Sequence, residues 1–311
     1  MKILIAEPED FSQVAISILE EKGEVTCRSL PQTEIRSALT QYDVIWIRLG
    51  LTIRKKDIPV SPRCRYVITA TTGLNHLDMD TLKEAGIEVL SLKGQTSFLE
   101  TVTATAEHTM GLLLALVRMI PAAHRSVLNG IWNRDFFKGH EITGKIVGIV
   151  GYGRLGKIVS SYCRAFGMNV MIYDPFVKVS DVSLRVVDTL EEVFHSADFI
   201  TLHIPLNAAT TGLIDRTVLS GMKPGSYLIN TSRGEIVVED HLLEVLTHKK
   251  IAGAALDVLC DEEFFSVDNP LVQFAQHNEN LLLTPHIGGC TWESMSKCEE
   301  FMAKKLKDAI K

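Results

Sequence analysis

Short apolar segments rich in β-branched residues alternate with helical segments along the whole chain. In the first third we predict strands at Lys2–Ala6, Glu24–Arg28, Asp43–Ile47, Tyr66–Thr69 and Glu88–Leu92. Farther along we predict strands at Lys145–Val150, Asn169–Asp174, Phe199–Ile204, Ser226–Thr231, Ala252–Leu259 and Asn280–Thr284. Such alternation is typical of parallel sheets whose strands are connected by helices. Uninterrupted apolar runs, as in the strand that ends at Val150, indicate strands that are buried on both faces.

Two interruptions of this alternation indicate where the chain passes from one sheet to another. Near Lys93–Ser97 it gives way to one long helical segment, Thr101–Ile120, which we expect Pro121 to end. After the last strand, a final helix carries apolar residues at helical spacing, from Met295 to Ile310. We interpret this helix as packing on the first sheet. A chain of 311 residues is long enough for about two domains of roughly 150 residues each.

A glycine-rich segment directly follows the strand that ends at Val150. It reads Gly151-Tyr152-Gly153-Arg154-Leu155-Gly156, which has the spacing G-x-G-x-x-G, and it opens a predicted helix. Gly151 permits a tight turn, Gly153 lets backbone N–H groups approach a pyrophosphate, and Gly156 lets helix and strand pack closely. The helix N-terminus offers unpaired N–H groups and the positive end of the helix dipole. We therefore predict that this six-residue loop binds a dinucleotide.

An acidic residue stands where a dinucleotide site requires one. Asp174 ends the next predicted strand, 18 positions beyond Gly156. Its carboxylate can accept hydrogen bonds from both ribose hydroxyls, and it would repel the 2′-phosphate of NADP. No arginine that could compensate follows closely in the sequence. The predicted cofactor is therefore NAD, and the alternative is a structural βαβ turn with a surface aspartate.

Together these patterns predict an α/β protein of two doubly wound parallel-sheet domains. A Rossmann dinucleotide domain, residues 96–286, is expected to be inserted into a flavodoxin-like substrate domain. Residues 1–95 and 287–311 are expected to form that substrate domain. The final helix would then complete the substrate domain, and a cleft would separate the two domains.

Three loops of the dinucleotide domain carry charged side chains. Arg233, Glu262 and His286 each follow one of the last three predicted strands. Ligands of such sheets bind beyond the carboxyl ends of the strands. Hydride transfer between nicotinamide and a 2-hydroxy acid needs a cation for the carboxylate and the carbonyl oxygen. It also needs an acid/base that works near pH 7 and a group that tunes this base. The three loops supply these three kinds of side chain.

Several multi-residue motifs resemble the D-isomer-specific 2-hydroxyacid dehydrogenase family, and most closely its short members similar to phosphoglycerate dehydrogenase. The motifs are Thr231-Ser232-Arg233-Gly234, Ala255-Leu256-Asp257-Val258 with a glutamate five residues after its aspartate, Thr284-Pro285-His286-Ile287-Gly288-Gly289 and Ala70-Thr71-Thr72-Gly73-Leu74-Asn75. They match in order and spacing over nearly the whole chain. The resemblance implies an NAD-dependent oxidoreductase that transfers a hydride between NAD(H) and a D-2-hydroxy acid. Because the sequence ends after the final helix, we expect the C-terminal regulatory domain of longer phosphoglycerate dehydrogenases to be absent.

Carried over to this sequence, the resemblance implies three catalytic roles. His286 is expected to be the general acid/base, and Glu262 to hydrogen-bond its imidazole and stabilise the imidazolium form. Glu263 stands where the family usually has proline, so a shift of the pairing by one residue is the alternative. Arg233 is expected to bind the 2-oxygen and the carboxylate of the substrate.

The same resemblance implies contacts around the cofactor and the substrate. Thr231 and Asp257 are expected to bind the cofactor, with Asp257 beside the nicotinamide. Backbone N–H groups of Thr72, Gly73 and Leu74 are expected to hold the substrate carboxylate from the other domain.

Cations after the third predicted strand could bind a phosphorylated substrate. Arg48 ends that strand, and Arg54-Lys55-Lys56 follow. In phosphoglycerate dehydrogenases, cations from this region help to hold the phosphate. Leu49-Gly50-Leu51 departs from the polar sequence that is common there, so a solvated basic loop is the alternative. The substrate is accordingly expected to resemble D-3-phosphoglycerate, and the alternative is a glyoxylate or hydroxypyruvate (D-glycerate) reductase.

Composition and charge narrow the choice of partners. Hydrophobic residues make up 46% and charged residues 23% of the chain, which is usual for globular proteins. The formal charge of −6 argues against nucleic acid or an anionic membrane as a partner. The longest apolar run, Met110–Val117, is far shorter than a membrane span. No targeting segment is apparent and the six cysteines are scattered, so we expect reduced thiols, no metal site and a cytoplasmic protein.

Two further expectations concern assembly and the class of function. The segment Thr101–Ile120 is apolar nearly all round, which favours a place in a homodimer interface, and Trp132 in the following arm fits this interpretation. The alternative is burial within one subunit. The alternative to an enzyme is an NAD-sensing binding protein of the same fold. A formate dehydrogenase, the related class with another hydride donor, would carry a glutamine in place of Glu262.

Overall fold

The computed structural model describes residues 1–179 and 181–310. The chain forms two compact units. Unit 1 consists of Met1–Val102 together with Cys290–Lys311, and unit 2 consists of Thr103–Gly289. The chain therefore leaves unit 1 once and returns to it once, with the whole of unit 2 in between.

Unit 1 contains a five-stranded parallel sheet. Its strands are β1 (Lys2–Ile5), β2 (Glu24–Cys27), β3 (Val44–Trp46), β4 (Tyr66–Thr69) and β5 (Glu88–Ser91), in the spatial order β2-β1-β3-β4-β5. Its helices are α1 (Gln13–Glu20), α2 (Ile35–Gln41), α3 (Met79–Glu84), α4 (Thr96–Leu99) and α12 (Trp292–Ala309). Two clusters of buried apolar side chains cover the two faces of this sheet. The prediction of a doubly wound parallel sheet is confirmed for this unit.

The final helix packs on the sheet of unit 1, as predicted. α12 buries Cys298, Met302 and Leu306 in the same apolar cluster as Ala15 and Leu19 of α1. These three residues of α12 are four apart, so they lie on one face of the helix. The apolar spacing in the sequence thus identified the buried face correctly.

Unit 2 contains a seven-stranded parallel sheet. Its strands are β6 (Ile146–Val150), β7 (Asn169–Tyr173), β8 (Arg185–Val186), β9 (Phe199–Leu202), β10 (Tyr227–Asn230), β11 (Gly253–Leu256) and β12 (Leu281–Leu283), in the order β12-β11-β10-β9-β6-β7-β8. Its helices are α5 (Ala104–Val117), α6 (Ile120–Leu128), α7 (Arg154–Ala165), α8 (Leu190–Ser196), α9 (Arg216–Ser220), α10 (Glu239–Thr247) and α11 (Pro270–His277). The strand order reverses between β6 and β9, which is where ligands of doubly wound sheets bind. The predicted fold class is confirmed for this unit as well, although β8 is too short for its pattern to be seen in the sequence.

The segment predicted as a single helix, Thr101–Ile120, is divided. α5 ends at Val117, Met119 has a φ of +54°, and α6 begins at Ile120. Pro121 therefore lies in the first turn of a new helix, and the prediction that it ends the preceding helix was wrong. Proline is tolerated in a first turn because the N–H groups there have no partner within the helix.

The apolar surface of α5 is covered within unit 2. Met110, Leu113 and Leu116 lie in one buried cluster with Val147 and Ile149 of the sheet. Burial within unit 2 thus accounts for much of the apolar composition of the helix, and its place in a homodimer interface stays a prediction. Exposed apolar side chains lie instead on α6 and the arm that follows it, including Leu128 (72% exposed), Trp132 (88%) and Phe136 (65%).

Within residues 1–179 and 181–310, no single helix is long and apolar enough to cross a membrane, and α5 and α6, bent by 61°, meet that criterion only as a pair.

Candidate active site

The predicted catalytic residues of unit 2 follow three neighbouring strands. Arg233 follows β10, Glu262 follows β11 and His286 follows β12. The glycine-rich loop follows β6, and Asp174 follows β7. Because all of these strands are parallel, the five features lie at the carboxyl edge of one sheet.

His286 and Glu262 form a hydrogen-bonded pair. The Nδ1 atom of His286 lies 2.5 Å from Oε2 of Glu262, and Oε1 of Glu262 accepts a hydrogen bond from the Leu259 N–H at 3.1 Å. Of the two neighbouring glutamates, the structure thus places Glu262 rather than Glu263 against the imidazole. The His286 side chain is 26% exposed, and in the described part of the chain its Nε2 has no hydrogen-bond partner. This nitrogen is therefore left for a ligand.

Two residues at this pair have left-handed backbone conformations. His286 itself has a φ of +53°, and so does Asp261, the residue before Glu262. Few residues other than glycine adopt this region, although aspartate and histidine do so more often than most. Such conformations persist where the surrounding structure holds them, and they cluster at functional sites.

Asp257 holds the loop that carries His286. Its Oδ1 accepts hydrogen bonds from Thr284 Oγ1 at 2.6 Å and from the Ile287 N–H at 2.9 Å, and its Oδ2 accepts one from the Gly288 N–H at 2.7 Å. Its carbonyl oxygen accepts a further hydrogen bond from the His286 N–H at 2.8 Å. Asp257 is only 2% exposed. The carboxylate therefore fixes the backbone on either side of His286.

Sequence reasoning missed the residue that supports Asp257 from α5. His108 Nε2 lies 3.1 Å from Asp257 Oδ1 and 3.1 Å from Thr284 Oγ1. In the sequence, the place of this histidine in the long helical segment favoured a structural role and gave no signal of its partner. His108 is therefore engaged in holding Asp257.

The loop with Arg233 is in contact with the backbone of the loop after β11. Asn230 fixes the turn, because its Nδ2 donates to the Arg233 carbonyl at 2.8 Å and its Oδ1 accepts from the Ser232 N–H at 3.0 Å. Gly234 has no space for a side chain, since a Cβ there would lie 2.0 Å from the carbonyl carbon of Leu259. The absence of that side chain lets the loop that carries Arg233 approach the loop that carries Glu262.

His203, which follows β9, is unsuited to acid/base catalysis. Its Nε2 lies 2.9 Å from Thr201 Oγ1, and its Nδ1 is buried and has no hydrogen-bond partner in residues 1–179 and 181–310. Burial lowers the pKa of His203 from 6.5 to about 4, because the apolar surroundings disfavour the imidazolium. His203 is therefore neutral at pH 7.

We expect His203 to make the protein less stable in acid. Between pH 6.5 and about 4 the unfolded chain binds a proton that the folded chain does not, so stability falls as the pH falls. Between pH 7.5 and 4.5 the wild type should lose about 2–3 kcal/mol more unfolding free energy than His203→Asn. Urea titrations followed by circular dichroism measure this difference. The exposed His248, replaced by asparagine, serves as the control, and equal losses in the wild type and His203→Asn would contradict the assignment.

The glycine-rich loop fits a pyrophosphate. Gly151 has a φ of +94°, and a Cβ at Gly156 would lie 2.1 Å from the Gly151 carbonyl oxygen, so α7 packs directly on the turn. A Cβ at Gly153 would meet no atom within 4 Å, which leaves open space beside the start of α7. Gly153 is the N-cap residue of this helix and has no side chain that could cap its first turn. Backbone N–H groups are thus available where the sequence predicted the phosphates.

Asp174 is anchored beside this loop. Its Oδ2 accepts a hydrogen bond from the Tyr152 N–H at 2.7 Å, and its Oδ1 accepts from the N–H groups of Phe176 and Val177 at 2.8 and 3.0 Å. A carboxylate has about four acceptor sites and three are used here, so capacity for one ribose hydroxyl is left.

The other two residues predicted to bind the cofactor are largely buried. Thr231 is 6% exposed, and its Oγ1 lies 2.9 Å from Thr109 Oγ1 of α5. Asp257 uses both carboxylate oxygens to hold the His286 loop, as described above. A contact of either residue with the cofactor stays a prediction.

In unit 1, the residues predicted to bind the substrate follow β3 and β4. Among the described residues no group accepts a hydrogen bond from the N–H of Thr72, Gly73 or Leu74, which leaves these donors for a carboxylate. Arg48 is different, because its Nη2 donates to Glu299 Oε1 at 2.6 Å. The two loops therefore differ in what they can offer an anion.

Comparison with known proteins identifies the family. A sequence model described as "D-isomer specific 2-hydroxyacid dehydrogenase, NAD binding domain" matches residues 110–288. The chain belongs to the D-isomer-specific 2-hydroxyacid dehydrogenase family, and unit 2 carries the NAD-binding domain of that family. The resemblance seen in the sequence motifs and the prediction of NAD as cofactor are thereby confirmed.

Individual relatives differ in how much of their length the chain covers. It is 35% identical to D-3-phosphoglycerate dehydrogenase of Methanocaldococcus jannaschii over 315 residues, which cover 100% of this chain but only 58% of the relative. It is 31% identical to hydroxypyruvate reductase of Thermotoga maritima over 308 residues, which cover 98% of this chain and 97% of the relative. The structure of D-lactate dehydrogenase from Aquifex aeolicus with NAD and lactic acid is 27% identical, with a TM-score of 0.83 over 100% of this chain and 95% of that one. The chain thus spans little more than half the length of the phosphoglycerate dehydrogenases it matches.

Proposed function

We propose that this protein is an NAD-dependent D-2-hydroxyacid dehydrogenase, an oxidoreductase that interconverts D-2-hydroxy acids and 2-keto acids. The observation that carries the proposal is the pair of His286 and Glu262 at the carboxyl edge of the NAD-binding sheet, beside the loop with Arg233. Membership of the family supports the reaction class. Residues 96–286 are proposed as the NAD-binding domain, and residues 1–95 and 287–311 as the substrate domain.

In the reduction of a 2-keto acid, each of these residues has a separate role. Arg233 is proposed to bind the carboxylate and the 2-oxygen of the keto acid. In unit 1, the N–H groups of Thr72, Gly73 and Leu74 are proposed as donors to a substrate carboxylate. NADH, when bound, supplies the hydride that adds to C2. His286 Nε2 donates its proton to the 2-oxygen, which would otherwise become an alkoxide, and Arg233 stabilises the negative charge that develops there. Glu262 stabilises the imidazolium before the proton leaves, and in oxidation Nε2 accepts the hydroxyl proton.

The proposal is tested by following NADH oxidation at 340 nm with a panel of 2-keto acids. The panel contains phosphohydroxypyruvate, hydroxypyruvate, glyoxylate and pyruvate. We expect saturable turnover with at least one of them. Tight binding of NADH without turnover of any member would contradict the proposal and favour the alternative of an NAD-sensing binding protein.

Asp174 is proposed to select NAD by excluding the 2′-phosphate of NADP. Asp174→Asn removes the negative charge and keeps the size of the side chain. The ratio of kcat/KM for NADH to kcat/KM for NADPH is therefore expected to fall by ~10-fold or more, because repulsion of the phosphate is lost. Steady-state kinetics with both cofactors measure the ratio. Asp181→Asn, an exposed change in the following loop, should leave it unchanged, and an unchanged ratio in Asp174→Asn would refute this role.

We also propose a homodimer and a cytoplasmic location. The exposed apolar side chains of α6 and the following arm, among them Leu128, Trp132 and Phe136, support an interface formed through the nucleotide domain. All six cysteines are free, as is usual for proteins of a reducing compartment. A small 2-hydroxy or 2-keto acid is the proposed ligand besides NAD, with no role for nucleic acid or a membrane.

A further inference from the structure

Arg48, the cation that follows β3, is engaged inside unit 1. Its Nη2 donates to Glu299 Oε1 at 2.6 Å, and its Nη1 donates to the Glu9 carbonyl oxygen at 2.8 Å. The guanidinium carbon lies 5.7 Å from the centre of the Phe11 ring. The side chain is 21% exposed. Both terminal nitrogens of Arg48 therefore bind groups of the protein itself.

The partner of Arg48 is a buried carboxylate on α12. The Glu299 side chain is 3% exposed, and its Oε2 accepts a hydrogen bond from the Ser12 N–H at 2.8 Å. A carboxylate buried to this extent needs its cation, because separating the pair leaves an uncompensated charge out of water. Two of the five N–H groups of the Arg48 guanidinium are therefore committed to groups of unit 1, and a buried carboxylate balances its charge.

A second carboxylate accepts hydrogen bonds from the backbone of the loop that carries Arg48. Glu7, which follows the neighbouring strand β1, accepts hydrogen bonds from the Arg48 N–H at 2.5 Å and from the Gly50 N–H at 3.0 Å. A Cβ at Gly50 would lie 2.7 Å from Glu7 Oε1, so the glycine makes room for this carboxylate. Two of the amide donors that a phosphate could use in this loop are thus already bound to an acid.

We propose that Glu299 is a specificity-determining residue, which withdraws Arg48 from the substrate so that the enzyme selects 2-keto acids without a phosphate group. The inference rests on the proposed function, in which the loop after β4 binds the substrate carboxylate. β3 and β4 are paired in the sheet, so the loop with Arg48 adjoins that loop. A phosphate group at the carboxyl edge of β3 and β4 would be repelled by the Glu7 carboxylate, and the charge of Arg48 is already balanced by Glu299. An uncharged hydroxymethyl group would not be repelled in this way.

The test compares kcat/KM for phosphohydroxypyruvate and for hydroxypyruvate, with NADH followed at 340 nm. In the wild type we expect hydroxypyruvate to be favoured by at least ~10-fold. Glu299→Gln removes the charge that holds Arg48 but keeps an oxygen for the Ser12 amide. We expect it to shift the ratio at least ~10-fold towards the phosphorylated acid. The double variant Arg48→Met/Glu299→Gln should lose that gain, since the gain depends on the released guanidinium.

Glu300→Gln is the matched control, because Glu300 is the next residue of α12 and binds Ser12 Oγ and Ser296 Oγ instead of Arg48. It should leave the ratio within twofold of the wild type. A wild type that prefers phosphohydroxypyruvate would overturn the proposal, and this measurement needs no variant to fold. A folded Glu299→Gln that turns over hydroxypyruvate with an unchanged ratio would overturn it as well. In both of these cases the proposed dehydrogenase function stands, whereas a wild type that turns over no 2-keto acid overturns both.

Discussion

Replacing His286 by alanine is expected to lower kcat for the reduction of 2-keto acids by ~10²- to 10⁴-fold, because the proton donor of the reaction is lost. His286 Nε2 is the proposed proton donor, and Nδ1 is held by Glu262 at 2.5 Å. Neither His203 nor His108 can replace it, since the first is buried with a pKa of about 4 and the second is bonded to Asp257 and Thr284. The dissociation constant of NADH, measured by fluorescence titration, should stay within about threefold of the wild type, since no phosphate-binding group is removed.

His248→Ala provides the control for this experiment. His248 is exposed in the loop after α10, so its replacement should change neither kcat nor NADH binding. A His286→Ala variant that binds NADH and keeps more than a third of the wild-type kcat would show that His286 is not the proton donor.

Asp257→Asn is expected to lower kcat by ~10²-fold without a comparable change in NADH affinity. The carboxylate accepts hydrogen bonds from the N–H groups of Ile287 and Gly288 on two different oxygens. Asparagine offers one oxygen and an amino group, so at least one of these donors would face another donor. The lost acceptor costs about 1–3 kcal/mol, and a displacement of the His286 loop by about 1 Å is enough to lower the rate to this extent.

Asp268→Asn is the matched control, because Asp268 is exposed and lies outside the hydrogen-bonded network of the His286 loop. The thermal midpoint of Asp257→Asn should fall, and its kcat should fall far more than its KM for NADH rises. If NADH affinity falls as much as kcat does, Asp257 acts mainly on the cofactor, as the family resemblance implied, and not on the position of His286.

The carboxyl edge of the NAD-binding sheet was predictable because its determinants are local. The spacing of Gly151, Gly153 and Gly156 after an apolar run requires a turn between a strand and a helix. Parallel strands end at the same edge, so charged residues in the loops after β10, β11 and β12 were expected to lie near one another. The choice between Glu262 and Glu263 needed the structure, which places Oε2 of Glu262 at 2.5 Å from Nδ1 of His286.

The surroundings of Arg48 could not be predicted in this way. Its partner Glu299 is 251 residues away in sequence and comes from the helix that returns to unit 1. In the sequence, Arg48 stood out only as a cation at the end of a strand, and that pattern is the same for a phosphate-binding arginine and for one held by a buried carboxylate. The break between α5 and α6 at Met119 could not be predicted for a related reason. The same local sequence allows a proline to end one helix or to begin the next.

The proposed activity of this chain is hydride transfer to and from D-2-hydroxy acids. The most direct test is the formation of NADH at 340 nm from NAD and the separate D and L isomers of the hydroxy acid whose keto form is reduced fastest. We predict turnover of the D isomer by the wild type, at least ~100-fold faster than of the L isomer, and loss of that turnover in His286→Ala. Equal rates with both isomers, or oxidation of the L isomer alone, would contradict the account.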